Sequence, residues 1–449
     1  MNRRVIVTAL ALLVGTALAQ TEVRWFVGLG AGSDEPTIAP QQAIVDEYNA
    51  SQNEIKLVLE IIDAAQSQDV LATQIAAGNP PDIVGPMGIQ GRAAFEGAWL
   101  DLAPLIESTG YDLSDFDPEL IDFYKVDEQG QLGIPFAVFP SFILYNKDLF
   151  DEADLPYPPS AYGEPYIDYN GEEQPWTVDT LRDLAMLLTV DNQGNDASME
   201  EFDLNNTVQW GFGQQFPELR GMTTLFGAGN FVDDEGDAVI PEHWRTAIQW
   251  YQDAMWKDGF HPNGPYGSSA VLGEDNWFNS GNIAMVNTHL WYLTCCLTTL
   301  DAAWDVAPVP SYQDTTTSKL HADTFGILKG SKNHDAAFEV LGYLLSPEVA
   351  GQLANIYGGM PARLSLQDSY FETFSTNFDQ KVNWDVIAEG LGYVDSPSHE
   401  EYMPGYREAR DRYLAFQERL QNVADLDVDA ELEQMRADLQ RIFDVAGNN

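Results

Sequence analysis

The sequence predicts an α/β protein built from more than one lobe, on three observations. Strand-like and helix-like runs alternate along the first hundred residues, the pattern of a largely parallel sheet. The chain has 449 residues, more than the roughly 250–300 at which a single core stops growing. Two apolar, proline-marked stretches, near Pro140 and Pro308–Pro310, read as extended passages from one lobe to another. A content of 45% hydrophobic and 12% aromatic residues supplies a packed interior.

The elements follow in order. "MNRR" and the apolar run "VIVTALALLVGTALA" (5–19) read as a secretory signal, against a retained N-terminal anchor. The run is shorter than the ~20 residues of a membrane span, and "ALA" at 17–19 places cleavage before Gln20. No cysteine near that point offers a lipid anchor, so the mature protein is expected free in the periplasm or secreted. "VRWFVGL" (23–29) is a strand, "GAGSDEP" (30–36) a glycine-rich turn and "QQAIVDEYNAS" (41–51) a helix. "IKLVLEIID" (55–63) is the second strand. "QDVLATQIAAG" (68–78) is a helix that stops at Gly78, and "NPPDIVGP" (79–86) brings a third, short strand. Ligands in such sheets lie beyond the carboxyl ends of strands. The loops at 30–35, 64–68 and 85–88 therefore share one rim.

"GQLGIPFAVFPSFILYNKDLFDEADLP" (130–156) carries two apolar runs about Pro140. A Pro-, Tyr- and Gly-rich surface loop (157–176) and the helix pattern "TVDTLRDLAMLLTV" (177–190) come next. "WDVAPVPSY" (304–312) is the second passage and leads into the strand and helix of "HADTFGILKGSKNHDAAFEVLGYLLS" (321–346). The last segment, through "YREARDRYLAFQERLQNV" and "AELEQMRADLQRIFDVA", has helical apolar spacing. No internal repeat appears.

Charge narrows the function. The net charge is −48, spread along the chain. Nucleic acid requires basic contacts, and anionic lipid attracts basic segments, so neither is an expected partner. The six histidines are scattered, without HExxH or CxxC, and no metal or other cofactor is expected. "DNQGNDASMEEFD" (191–203) fails as an EF-hand, with Asp196 where glycine belongs and Phe202 where the bidentate glutamate belongs.

Seven segments in order resemble one family: "AAGNPPDIV" (76–84), "GQLGIPFAVFPSFILYNKDLF" (130–150), "PWTVDTL" (175–181), "FNSGNIAMV" (278–286), "PVP" (308–310), "GILKGSKNHDAAFEVLGYLLSPE" (326–348) and "GGMPAR" (358–363). The chain resembles the extracellular solute-binding proteins of ABC importers, of the carbohydrate type. The resemblance implies a two-lobed periplasmic-binding fold of type II with a cleft between discontinuous lobes and a helical C-terminus. One lobe would take residues 20–138 and 309–355, the other 141–307 and 357–449, with hinge crossings near 138–141, 307–310 and 355–357. It implies a monomer that binds a mono- or oligosaccharide, closes about a hinge and delivers its cargo to the transmembrane subunits of a permease. The alternatives are a secreted glycoside-active enzyme, which would need two carboxylates astride one bond, or a receptor for a polyol, sugar phosphate or other small solute.

A buried sugar needs acceptors for its hydroxyls, because an unpaired buried polar group costs about 1–3 kcal/mol, and aromatic faces for its C–H patch. Ser33 and Asp34, on the first rim loop, either meet hydroxyls or cap the next helix. Asp63 and Gln66 stand on the second rim loop, where plain surface is the competing reading; Pro86 and Met87 stand on the third and Phe139 at the first passage. His289, Trp291 and Tyr292 follow the strand "NIAMV". The resemblance puts a sugar-stacking aromatic there, with Trp291 the leading candidate against an ordinary half-buried tryptophan. It also makes Asp323, Tyr357, Met360 and Arg363 ligand-proximal.

The only two cysteines, Cys295 and Cys296, are adjacent. In an oxidising compartment they form either a vicinal disulfide bracing the Trp291 loop or two buried free thiols. Intact-mass measurement after alkylation without reductant separates the two. An unmodified protein is expected for the disulfide, and alkylation at both positions rules it out.

Overall fold

The structure is a computed structural model and describes residues 20–126, 129–216, 218–273, 276–297 and 299–447. The signal-peptide reading therefore lies outside the described residues. Among them, no helix is long and apolar enough to cross a membrane.

Ten strands form one continuous sheet. In chain order, with the helices that pack on them, they are β1 (Thr21–Val27), α1 (Glu35–Ser51), β2 (Ile55–Ile61), α2 (Ala64–Ala76), β3 (Ile83–Met87), β4 (Ile134–Asn146), α3 (Val178–Leu187), β5 (Val190–Asp191), β6 (Thr207–Gln214), α4 (Glu242–Trp256), β7 (Ile283–His289), β8 (Trp304–Ala307), β9 (Leu320–Ile327), α5 (His334–Leu344), α6 (Pro347–Tyr357), β10 (Met360–Pro361), α7 (Tyr406–Asn422) and α8 (Val428–Ala446). The order across the sheet is β2-β1-β3-β9-β4-β7-β6-β5, with β8 and β10 also paired to β4.

The sheet is parallel within β2-β1-β3 and within β6-β7, as helix-linked crossovers require. It is antiparallel wherever β4 or β9 joins, so it is mixed where the alternation predicts it largely parallel. The two linking strands run back against the crossover units, which local periodicity does not reveal.

β4 carries the architecture. All thirteen of its residues are buried, and the two apolar runs about Pro140 are one strand. Residues 134–140 pair with β9, and Val138 and Ala137 also meet β10. Residues 141–145 pair with β7, and Ile143–Asn146 with β8. Pro140, which lacks an N–H, sits where one set of neighbours gives way to the other. The fold is thus two-lobed, with two sheet halves sharing one strand. One apolar cluster runs from Trp25 through Phe136 and Phe142 to Trp304. A second gathers Phe212, Trp244, Tyr251, Tyr413 and Leu432 beneath the C-terminal helices.

The helix ends follow local chemistry. The Asp63 carboxylate accepts Ala65 N–H at 2.9 Å and caps α2. Asp427 caps α8 through Ala430 N–H at 3.1 Å, and Leu432, Met435, Leu439 and Phe443 bury one face of that helix. Arg412–Asp438 at 2.7 Å joins α7 to α8. The 157–176 loop braces the second passage: Trp176 Nε1 donates to Pro308 O at 2.9 Å, and Tyr162 stacks on Tyr393 at 4.3 Å. In the acidic turn, the Asp191 carboxylate accepts the N–H groups of Gln193, Asn195 and Asp203 at 2.8–3.1 Å; these backbone donors organise the loop.

His261 links β6 to the segment after α4 and is 1% exposed. Its Nδ1 donates to Pro262 O at 2.8 Å, and Gln214 N–H donates to Nε2 at 3.3 Å. Burial pulls its pKa down to about 4, so the folded state prefers the neutral ring. Its contribution to stability is complete above about pH 6.5 and is lost as pH falls toward 4, at most about 3 kcal/mol. His261→Gln is expected to flatten the fall in stability between those pH values, measured by denaturant unfolding. An unchanged slope would mean that other groups set it.

Candidate functional site

The three rim loops converge as the sheet predicts. A cavity of ≈450 Å³ opens between the halves, lined by Leu29–Asp34, Pro36, Thr37, Ala64, Gly88, Gln90 and Gly91 on one side and by Phe139, Phe216, Trp291, Thr294, Cys295, Cys296, His321, Asp323, Ile356, Tyr357 and Glu400 around the rest. Gly30 makes the approach of the first loop possible: a Cβ there would lie 2.7 Å from Pro86 O and 2.9 Å from Asp323 Oδ2. A second cavity, of ≈560 Å³, lies between the 89–99 segment and Tyr402. It touches none of the loops after β1 and β2, so the first is the better candidate.

Six of the candidate residues share the first cavity: Ser33, Asp34, Phe139, Trp291, Asp323 and Tyr357. The Asp34 side chain makes no cap bond to α1, which leaves it for the cavity. Tyr357 is anchored by its hydroxyl, 2.7 Å from Gln41 Oε1. Trp291 is half-buried and stacks against His289 (centroids 5.9 Å, 12°) and Phe216 (5.9 Å, 26°). Cys295 and Cys296 are joined as a vicinal disulfide and form part of the wall beside Trp291.

Besides Asp63, which caps α2, seven candidates lie elsewhere. Gln66 is exposed on the first turn of α2. Pro86 and Met87 are buried in β3, with the following Gly88 facing the cavity instead. His289 and Tyr292 are buried beneath Trp291, and the Tyr292 hydroxyl bonds Asn276. Met360 is buried in β10. Arg363 donates to Leu345 O at 2.7 Å, to Asp115 at 2.9 Å and to the Tyr111 hydroxyl at 3.2 Å, and it lies over Phe116 at 4.6 Å. Its charge is spent on structure, away from the cavity.

Residues that sequence reading passed over complete the wall. Phe216 is 47% exposed with φ +60°, an unusual backbone for a non-glycine residue. Gln90, His321 and Glu400 supply polar groups. His321 Nδ1 meets Glu400 Oε1 at 2.8 Å. Burial alone would lower the His321 pKa, but the Glu400 carboxylate raises it; burial would raise Glu400, but His321, His399 and Arg220 hold it down. The two therefore form an ion pair. Asp323 is pushed up to about 7, mainly by burial and further by Glu400, although Ala31 N–H (3.4 Å) opposes the shift. The signal for His321 stood two residues before Asp323 in "HADTF". "SHEEY" around Glu400 carries no pattern of its own.

The cavity thus sets an aromatic and disulfide wall against Asp34, Asp323, His321, Glu400 and Gln90. Among the described residues lining it there is no lysine or arginine.

Comparison with known proteins gives the relationship. The model of the family described as bacterial extracellular solute-binding protein matches residues 33–351. A curated relative, the sn-glycerol-3-phosphate-binding periplasmic protein UgpB of Rhizobium meliloti (strain 1021), is 27% identical over 157 residues, or 33% of this chain and 35% of that protein. The match thus spans about a third of that relative's length. The substrate-binding protein Lmo0181 from Listeria monocytogenes, solved with cycloalternan, has a TM-score of 0.71 at 20% identity, covering 94% of this chain and 98% of its own. UgpB from Mycobacterium tuberculosis, solved with glycerophosphocholine, has 0.72 at 14%, covering 95% and 99%. A solute-binding protein from Thermotoga lettingae, bound with α-D-tagatose, has 0.71 at 16%, covering 94% and 100%. At these identities the structural likeness establishes the fold.

Trp291→Ala is expected to weaken ligand binding about tenfold or more, roughly 1.4 kcal/mol, with the fold intact by circular dichroism. Unchanged affinity by calorimetry would remove Trp291 from the site.

Proposed function

The chain belongs to the bacterial extracellular solute-binding protein family, and from that premise we propose that it captures a neutral sugar in the cleft and delivers it to an ABC importer. The observation that carries this reading is the composition of the cavity wall. Phe139, Phe216, Trp291 and Tyr357 offer faces for the C–H side of a pyranose. Asp34, Asp323, Glu400, His321 and Gln90 offer acceptors and donors for its hydroxyls. A volume of ≈450 Å³ is within the range of small-molecule sites.

The same wall argues against a phosphate ester such as the one named for the Rhizobium relative. A phosphate asks for arginine, lysine or a cluster of N–H donors, and this wall presents carboxylates instead. Arg363 is held by Asp115, and Arg220 lines a side chamber.

In this reading residues 20–138 with 309–355 move as one lobe and residues 141–307 with 357–449 as the other. They close about the passages near 138–141, 307–310 and 355–357. The mature protein acts as an exported monomer, binds without turnover and presents its closed form to the permease. The disulfide stiffens the wall beside Trp291.

A thermal-shift panel of mono-, di- and oligosaccharides, polyols, amino acids and sn-glycerol 3-phosphate tests this. A ligand present at a hundredfold excess over its Kd stabilises by about 2.7 kcal/mol. A shift confined to sugars, without product formation, is the expected outcome. A shift with the phosphate ester alone, or release of sugar product, would overturn the reading.

A further inference from the structure

Three of the chain's six histidines meet at one place beside the cleft. His289 ends β7, His321 lies in β9, and His399 lies in the segment before α7. The His289 and His321 rings are 4.2 Å apart between centroids, and those of His321 and His399 4.8 Å. One ligand atom each from His321, His399 and Glu400 falls within 4.8 Å of the others. These three border a side chamber of ≈140 Å³ that shares His321, Glu400 and Trp291 with the main cavity.

The chamber is built for more than packing. The Asp395 carboxylate is buried and fully used: Oδ2 accepts His399 Nδ1 at 2.7 Å and His399 backbone N–H at 2.7 Å, and Oδ1 accepts Leu320 N–H at 2.8 Å. This orients the His399 ring with Nδ1 as the donor to Asp395, so that Nε2 is the nitrogen left to serve as a ligand. A histidine so held by a carboxylate is the usual support of a metal-binding imidazole. Two buried groups here also have unmet capacity. Glu400 Oε2 has no hydrogen-bond partner, and neither does either ring nitrogen of His289. A buried polar group left unmet is costly, and an ion bound by Glu400 would relieve that cost at its Oε2.

We propose that His321, His399 and Glu400 bind a divalent transition-metal ion of the zinc type in this side chamber, with a coordination position open toward the main cavity. Two imidazoles and one carboxylate suit zinc and its neighbours, whereas calcium and magnesium prefer oxygen ligands. Three protein ligands with one open position is the arrangement of an accessible zinc site. The ion enters in place of the proton between His321 Nδ1 and Glu400 Oε1, and that proton leaves to solvent. Metal–nitrogen bonds of about 2.1 Å require ligand atoms about 3.4 Å apart, so the three side chains draw inward on binding. Arg220 borders the same chamber and opposes a bare dication, while Glu400 and Glu218 in the lining, and Asp395 behind His399, offset it. Arg220 Nε and Nη1 have no partner, and Arg220 lines the chamber, so an anion drawn in with the ion would find a donor there. Lys319 is already bound to Gln214 and Asn287.

The experiment is calorimetric titration of chelator-stripped mature protein with zinc chloride at high ionic strength. The salt screens non-specific attraction to the acidic surface. One saturable site is expected, weakened about tenfold or more in His399→Gln and in Glu400→Gln. Asp395→Asn, which removes only the support, is expected to lose affinity by a similar factor. Substitution of cobalt(II) into the wild-type protein provides a readout independent of any variant's folding. An intense visible band of a four- or five-coordinate nitrogen-bearing site is expected, and the weak spectrum of the aquo ion would overturn the proposal. So would the absence of a saturable zinc site, or a zinc affinity unchanged in both folded variants.

Discussion

The molecule depends on one strand with two sets of neighbours. β4 is buried along its whole length, and its hydrogen bonds pass from β9 and β10 to β7 and β8 at Pro140. A strand buried on both faces reads as an unbroken apolar run, as this one does. The exchange of partners is what divides the sheet into halves and opens a cleft beside it. Proline costs little at that point, because the missing N–H falls where pairing changes hands. Phe139, one residue earlier, faces the cavity; Ser141, one residue later, is buried and hydrogen-bonded to Ser318 at 3.1 Å. The strand that holds the halves together thus also supplies part of the cavity wall.

Around that strand lies a polar interior unlike the acidic surface. Lys319 is 2% exposed and bound to Gln214 and Asn287; burial brings its pKa down to about 7. His289 is driven well below the usual histidine range, first by burial and then by its cationic neighbours. Buried polar groups of this kind are costly unless paired. Their concentration at the junction of the halves, where the cavity also lies, is the pattern expected of a recognition site rather than of a core. A net charge of −48 describes the chain as a whole but not the cleft, whose chemistry is decided by fewer than ten side chains.

Much of the fold was legible because it is written locally. The alternation of strand and helix, the stop at Gly78, the apolar length of β4 and the spacing of Leu432, Met435, Leu439 and Phe443 are patterns within one element, and each element formed near where its pattern lies. The rim was legible for the same reason: strand–loop–helix units put their loops at one end. Individual site residues were less so. Gly88 and Met87 differ by one position, but the strand ends between them: Met87 stays buried in β3 and Gly88 turns into the next helix at the cavity. Arg363 carries donors that could meet a ligand, but Asp115, 248 residues away in sequence, already holds it.

By itself, then, the sequence determined the fold class, the apolar run about Pro140, the converging loops and the acidic composition, because these depend on periodicity and composition. Tertiary structure alone decided which polar groups meet. His321 pairs with Glu400 across 79 positions, and three histidines that look scattered along the chain stand around one chamber. The order of strands across the sheet set those distances, and no local pattern encodes a meeting between elements that only the closed sheet brings together.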